Sequence, residues 1–301
     1  MPLRRLLQLA LMLALVGAGL AGLAPSEARA QTWLGARLTG FAQARRALAR
    51  GSDALVQNPA GLALSPAYTI ELGYADDFRE SDRRVHVSIT DGQAGPIAGG
   101  VGYTYGHARP ALFASEDDRL EGHRIEGALA VGVFEGGALG INLRGLIFDA
   151  QPADGSNGDD LEEFTLDLGF QWKVNEQVSV GLTGQNLTNI QRAEAPLLAT
   201  AAVGLTFDQF TIETDATYNA FVSDVLLSLG TGYTFAKVVP VRAGFVYDLQ
   251  QSEAGVSFGA GVELGRFGLD LGYIQRVTNI DGSAPDDDER IFNVSMRVVV
   301  F

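Results

Sequence analysis

Five arginines, Arg84, Arg124, Arg144, Arg242 and Arg297, fall on the polar phase of segments in which apolar and polar residues alternate. The acids Glu71, Glu126, Asp167, Glu213, Asp215, Glu263 and Asp270 fall on the same phase. A guanidinium presents a planar fork of donors that grips a carboxylate at two points. Two chemistries follow. Arg84, Arg124, Arg144 and Arg242 can hold the headgroup of a bound carboxylate, or the cations and acids can pair with one another as ladders that fill an enclosed interior, since buried charges are normally paired.

Other groups promise less. Asp154-Gly-Ser-Asn-Gly-Asp-Asp160 and Asp286-Asp-Asp-Glu289 carry the oxygen ligands that calcium takes, but an EF-hand loop wants glutamate at its twelfth position and Thr165 stands there. They read as solvated acidic loops, and no metal site is expected. His86, His107 and His123 are the only histidines, and none has a nucleophile or carboxylate partner nearby in sequence, so no catalytic residue and no enzyme activity is expected. The glycines of Gly99-Gly-Val-Gly102 and of residues 255–265 do not open a helix after a strand in the phosphate-binding pattern, so no cofactor is expected. Inside strands they would relieve crowding and permit kinks or bulges.

The elements that position the charges are strands. In Arg266-Phe-Gly-Leu-Asp-Leu-Gly-Tyr273 the residues Phe267, Leu269, Leu271 and Tyr273 share one face, and Arg266, Gly268, Asp270 and Gly272 the other. The same sorting gives the outward sets Tyr68, Ile70, Leu72, Tyr74; Phe164, Leu166, Leu168, Phe170, Trp172; and Phe210, Ile212, Ala216, Tyr218, with no charge among them. From residue 67 to Phe301 the pattern predicts fourteen strands, most of them about nine to thirteen residues long, the length of a tilted strand crossing a hydrocarbon layer. Aromatic residues such as Tyr103, Trp172, Phe207, Tyr218, Phe235 and Tyr273 fall near strand ends, as interfacial girdles do. Long connections alternate with short turns such as Phe134-Glu-Gly-Gly137 and Asp208-Gln209. An all-β transmembrane antiparallel barrel explains the even count, the sorted faces and the alternating loops together.

Bulk properties agree. Arg4 and Arg5, an apolar stretch from Leu6 to about Leu23 and the small-x-small site Ala28-Arg-Ala30 predict a signal peptide over residues 1–30, and hence export. Without those residues the chain has 19 basic and 35 acidic side chains, a formal charge of about −16 that argues against nucleic acid as a partner. There is no cysteine. Residues 31–66 precede the barrel, which spans residues 67–301; their Ala-Gln-Ala-Arg-Arg-Ala-Leu-Ala-Arg50 run has helical propensity, and Asn58-Pro-Ala-Gly61 ends any helix.

The run from Ala44 to Leu62, Ala-Arg-Arg-Ala-Leu-Ala-Arg-Gly-Ser-Asp-Ala-Leu-Val-Gln-Asn-Pro-Ala-Gly-Leu, is similar to the N-terminal signature of the outer-membrane FadL-like superfamily, which includes long-chain fatty acid transporters and PorV-type barrels. Gly181-Leu-Thr-Gly-Gln-Asn-Leu187 resembles a Gly-x-x-x-Gln-Asn-Leu segment of the PorV-like members. The resemblance implies a hatch inside a fourteen-stranded barrel, with Asn58, Pro59, Ala60 and Gly61 belonging to it; a tight turn into the first strand is the other role open to them. It also implies passage of fatty acids or other hydrophobic molecules through a Gram-negative outer membrane, with a lateral opening at a wall kink. The PorV-like alternative is a barrel that anchors or shuttles exported proteins. The implied partners are outer-membrane lipids, hydrophobic small molecules and the barrel-assembly machinery acting on the C-terminal strand, and the chain is expected to be monomeric. Two features depart from the family: residues 150–160 and 186–195 are short and polar where the transporters carry long capture loops, and Phe301 is in phase with Ser295 and Arg297 rather than with the apolar set.

Overall fold

The computed structural model describes residues 35–77, 82–93, 95–108, 119–151, 160–190, 195–250, 253–277 and 290–300. The predicted signal peptide, most of both acidic loops and Phe301 lie outside them. The described chain begins with two short helices, α1 (Ala36–Gly40) and α2 (Ser52–Gln57), and a 3-10 turn, Pro59–Leu64. Then come β1 (Tyr68–Asp77), β2 (Asp82–Asp91), β3 (Ile97–Ala108), β4 (Arg119–Phe134), β5 (Gly137–Gln151), β6 (Leu161–Lys173) and β7 (Val178–Gln185). The circuit continues with β8 (Leu198–Phe207), β9 (Phe210–Asn219), β10 (Asp224–Phe235), β11 (Val239–Asp248), β12 (Glu253–Leu264), β13 (Phe267–Val277) and β14 (Arg290–Val300).

Each strand pairs antiparallel with its sequence neighbours, and β1 closes the barrel on β14 through a register running from Tyr68↔Val300 to Asp77↔Ile291. Closure leaves no strand edge, the only way a sheet can satisfy its backbone in lipid. The alternation predicted from sequence is the alternation observed. Leu129, Leu143, Leu168, Leu182, Leu229 and Phe258 are exposed on the outside, while Glu71, Glu126, Asp167, Glu213, Asp215 and Asp270 are buried inside.

The aromatic residues gather toward the two ends of the wall. Phe134, Trp172, Phe207, Phe210, Phe235 and Phe267 sit exposed beside the short turns, with Phe134 edge-on to Trp172 at 5.8 Å and Tyr233 edge-on to Phe235 at 4.7 Å. At the opposite end Tyr74 donates to Asp76 at 2.6 Å, and Tyr103 lies 2.8 Å from His123.

The helical expectation for residues 42–50 fails throughout that run. α1 stops at Gly40, Ala42 and Gln43 take positive φ, and the chain from Ala44 to Arg50 is irregular. The reason is tertiary. The amides of Arg45 and Arg46 donate to Asp215 Oδ2 at 3.2 and 3.4 Å, and those of Ala47 and Leu48 donate to Glu213 Oε1. Two buried carboxylates on β9 thus take the donors that a helix would have used, and a propensity of a few tenths of a kcal/mol per residue gives way.

Candidate functional site

Residues 35–66 lie inside the barrel as a plug in its short-turn half. Their fit depends on a belt of inward-facing glycines: Gly140 and Gly169 against the Asn58–Ala60 turn, Gly181 against Arg46, Gly204 against Leu48, Gly230 and Gly244 against Phe41 and Ala42, and Gly272 against Ala36. A Cβ on Gly181 would stand 2.5 Å from the Arg46 carbonyl oxygen, and one on Gly244 would stand 2.6 Å from the Ala42 nitrogen. At these positions only glycine lets two backbones approach this closely. The sequence reading assigned strand glycines to kinks and bulges; their recurrence on the polar phase of successive strands is the signal that marks a chain packed against the wall.

Charge fixes the plug in two clusters, and a third stands beside it. Arg37 donates to Asp53 at 2.9 and 3.0 Å and to Glu71 at 2.7 Å, and lies 3.5 Å from Asp270. Asp270 also receives Arg242 and Arg297, each at 2.8 Å, and Arg297 reaches Glu263 as well. Burial opposes ionisation of Asp53, but the Arg37 charge and its hydrogen bonds more than offset that and hold the carboxyl below its usual range. In the second cluster Arg46 pairs with Asp215 at 3.1 Å. The third lies in the wall, where Arg144 bridges Asp167 at 2.8 Å and Glu126 at 3.5 Å, and Arg124 also meets Glu126 at 3.5 Å.

Of the arginines singled out from sequence, Arg124, Arg144 and Arg242 are therefore engaged by wall acids, and Arg144 also donates to the Val56 carbonyl of the plug at 3.0 Å. Arg84 is half-buried on β2. Asn58 is fully buried; its side-chain amide donates to the Arg46 and Phe170 carbonyls at 2.9 and 3.0 Å, and its Oδ1 caps Ala60. Pro59 to Gly61 open the 3-10 turn that follows. Arg37, Arg46 and Asp53, the plug's own charges, were not singled out from sequence because they sit on no strand and have no alternating phase to mark them.

On the long-loop side of these ion pairs the plug makes an apolar contact with the wall. Leu38, Ala42 and Val56 of the plug pack with Ala75, Val246, Ile274 and Ile291 of the wall. A second apolar patch joins Leu146, Leu161 and Ala195 with Phe148 and Ile190.

That second patch stands where the wall is weakest. β6 and β7 share six register partners, from Leu168↔Gly184 to Lys173↔Ser179, whereas β5 and β6 share twelve. Beyond Gln185 the chain turns at Asn186, with φ 55°, and a strap takes over from the ladder. The Asn186 amide donates to Asp167 Oδ1 at 2.9 Å, the Leu187 amide to the Leu166 carbonyl at 2.8 Å, and the Thr188 hydroxyl lies 2.9 Å from that of Thr165. On the lipid side of this junction, small residues Gly184, Ala199, Ala201 and Ala216 between Leu168, Leu182 and Tyr218 leave an apolar depression of about 520 Å³.

No family model matches the sequence, and no curated protein matches it. Solved structures do. The chain superposes on the CymD monoaromatic hydrocarbon channel with a TM-score of 0.69 at 13% identity, covering 88% of this chain and 97% of that one. Its fold is that of the FadL-like barrels. A Pseudomonas aeruginosa FadL homologue gives 0.65 at 13% identity over 90% and 99%, and the Pseudomonas putida toluene transporter TodX gives 0.61 at 12% over 91% and 99%. At such identities the shared feature is the barrel fold itself, and what the chain does must be argued from the site.

Proposed function

We propose that this protein is a passive outer-membrane channel for small hydrophobic molecules, which reach the apolar patch around Leu146, Phe148 and Leu161 and leave sideways between β6 and β7. The observation that carries this reading is the interrupted β6–β7 ladder, with an apolar patch on its lumen side and an apolar depression on its lipid side. A neutral apolar molecule gains nothing by crossing the ion pairs below, where separating buried polar partners costs several kcal/mol. Lateral exit asks only that the few bonds of the strap be exchanged. The names of the similar structures, which concern toluene, monoaromatic hydrocarbon and FadL-type channels, support the substrate class.

Nothing in the site favours the protein-shuttling alternative. Gln185 and Asn186, from the segment that resembles the PorV-like members, are buried and bonded within the barrel.

The chain has no cysteine, so a Thr165→Cys/Thr188→Cys pair gives a clean lock on the strap. Uptake of labelled toluene and of labelled dodecanoate into a host lacking its own transporter should exceed the empty vector, fall on oxidation and recover on reduction. Equal uptake by both redox states would rule out the lateral route, and uptake no greater than the vector would rule out transport.

A further inference from the structure

We propose that Arg45 and Arg50 form an oxyanion-binding site in a vestibule at the short-turn end of the barrel, on the side of the plug away from the long loops. The vestibule has a volume of about 580 Å³ and lies between the plug and strands β9 to β12, β14 and β1. Arg45, Arg50 and Lys237 line it, with the acid Asp208 and the polar side chains of Gln209 and Thr211 among their neighbours.

Three other cations border the same space, and each is already neutralised: Arg37 by Asp53 and Glu71, Arg242 by Asp270, and Arg297 by Asp270 and Glu263. Arg45 and Arg50 differ. Among the described residues neither makes an ion pair. The Arg45 guanidinium lies over the Phe41 ring at 4.8 Å and its buried Nε has no partner, while Arg50 donates to the Ala49 carbonyl at 2.6 Å. The acids of β9 act on them through space but form no ion pair with either. Glu213 accepts the Ala47 and Leu48 amides, and Asp215 accepts the amides of Arg45 and Arg46 and the guanidinium of Arg46.

Two cations sharing one partly desolvated space repel each other, and burial together with the Arg45 charge pushes Arg50 down to about 10, against the pull of Glu213. An anion between them removes that repulsion, and two guanidiniums offer several donors for a trigonal or tetrahedral oxyanion. The chemistry fits a phosphate or carboxylate group, from inorganic phosphate or from the head of an amphiphile.

The inference goes beyond passage of hydrophobic molecules and can fail independently of it. The full-length protein, purified in zwitterionic detergent, is titrated calorimetrically with inorganic phosphate, with hexanoate and with chloride. Saturable binding of phosphate or hexanoate is expected, weakened about tenfold by Arg50→Gln, which corresponds to about 1.4 kcal/mol, and abolished by Arg45→Gln/Arg50→Gln. Arg50→Lys should retain part of it. Heat-modifiable gel migration confirms that each variant is a folded barrel. Phosphate binding alone identifies an inorganic anion as the source, and hexanoate binding alone identifies an amphiphile. If neither binds saturably, or if the double variant binds as tightly as the parent, the site is disproved. Toluene uptake by the double variant should match the parent, so the two readings are separated.

Discussion

Gly140 of β5 and Gly169 of β6 are register partners, and the plug's Asn58–Ala60 turn lies directly on that pair of glycines. A Cβ on either would collide with plug backbone or with the Asn58 side chain. Neither collision can be relieved by rotating a flexible side-chain end, because Pro59 is rigid and Asn58 is held by three hydrogen bonds. Gly169→Val should therefore destabilise the docked plug by about 1–3 kcal/mol, the usual cost of overpacking. The barrel wall should survive. Limited proteolysis of the folded variant should release cleavage near residues 41–50 that the parent resists, with gel migration of the barrel unchanged.

The ion cluster around Arg37 gives a second expectation. Arg37→Met leaves Asp53, Glu71 and Asp270 buried around a lost cation, a change that typically costs about 3–5 kcal/mol. Arg37→Met/Asp53→Leu removes one of the stranded acids and should recover part of the loss, so the two substitutions will be non-additive. Chemical unfolding of the parent, Arg37→Met, Asp53→Leu and the double variant in detergent measures the coupling. Additive losses would show that Arg37 and Asp53 do not act as a pair.

The same pair sets a pH dependence. Asp53 is held below its unfolded value, so its contribution is complete above the unfolded carboxylate range and is lost as the pH falls through the lower folded value. Plug docking should loosen in acid, read as faster proteolysis of residues 41–50 by an acid-active protease, and Asp53→Asn should flatten the profile.

How much of this could be read from the chain depends on the local rule each part obeys. β13 was legible from Phe267, Leu269, Leu271 and Tyr273 because lipid and lumen select side chains residue by residue, and the period of two survives in the sequence. The plug obeys no such rule. Ala44 to Arg50 is a good helix sequence that is pulled open by Glu213 and Asp215, residues more than 160 positions away, and Arg37 finds Asp270 at a separation of 233. The lumen arginines were legible as lumen residues, but the partner each takes depends on barrel closure and plug depth. The β6–β7 junction was half legible: the Gln185-Asn-Leu187 segment stood out by resemblance, while its role as a strap follows from the early end of β7.

Leu143 is 59% exposed near the middle of β5. Leu143→Arg puts a guanidinium among acyl chains and should cost about 2–4 kcal/mol if that face meets the hydrocarbon core. Leu264→Arg, beside the Gly265 turn and 64% exposed, should cost no more than about 1 kcal/mol because its charge reaches the interface. Reversible urea unfolding into vesicles measures both. Equal costs at the two depths would contradict a membrane-spanning wall.

Gln185 ties the strap to the plug: its Nε2 donates to the Val56 carbonyl at 3.0 Å, and its Oε1 accepts from Arg46 at 3.4 Å. One residue later Asn186 binds Asp167, which is also held by Arg144, and Arg144 binds the same Val56 carbonyl. The plug and the weak wall junction thus share a closed ring of contacts through one carbonyl. Gln185→Ala removes one side of that ring at about 1 kcal/mol and leaves Arg144 to satisfy Val56, so folding is expected to persist. If strap and plug move together, the variant should take up toluene faster than the parent, and oxidation of the Thr165→Cys/Thr188→Cys pair in the same background should cancel the gain. An increase that survives that lock would place the extra flux through the plug itself rather than through the wall.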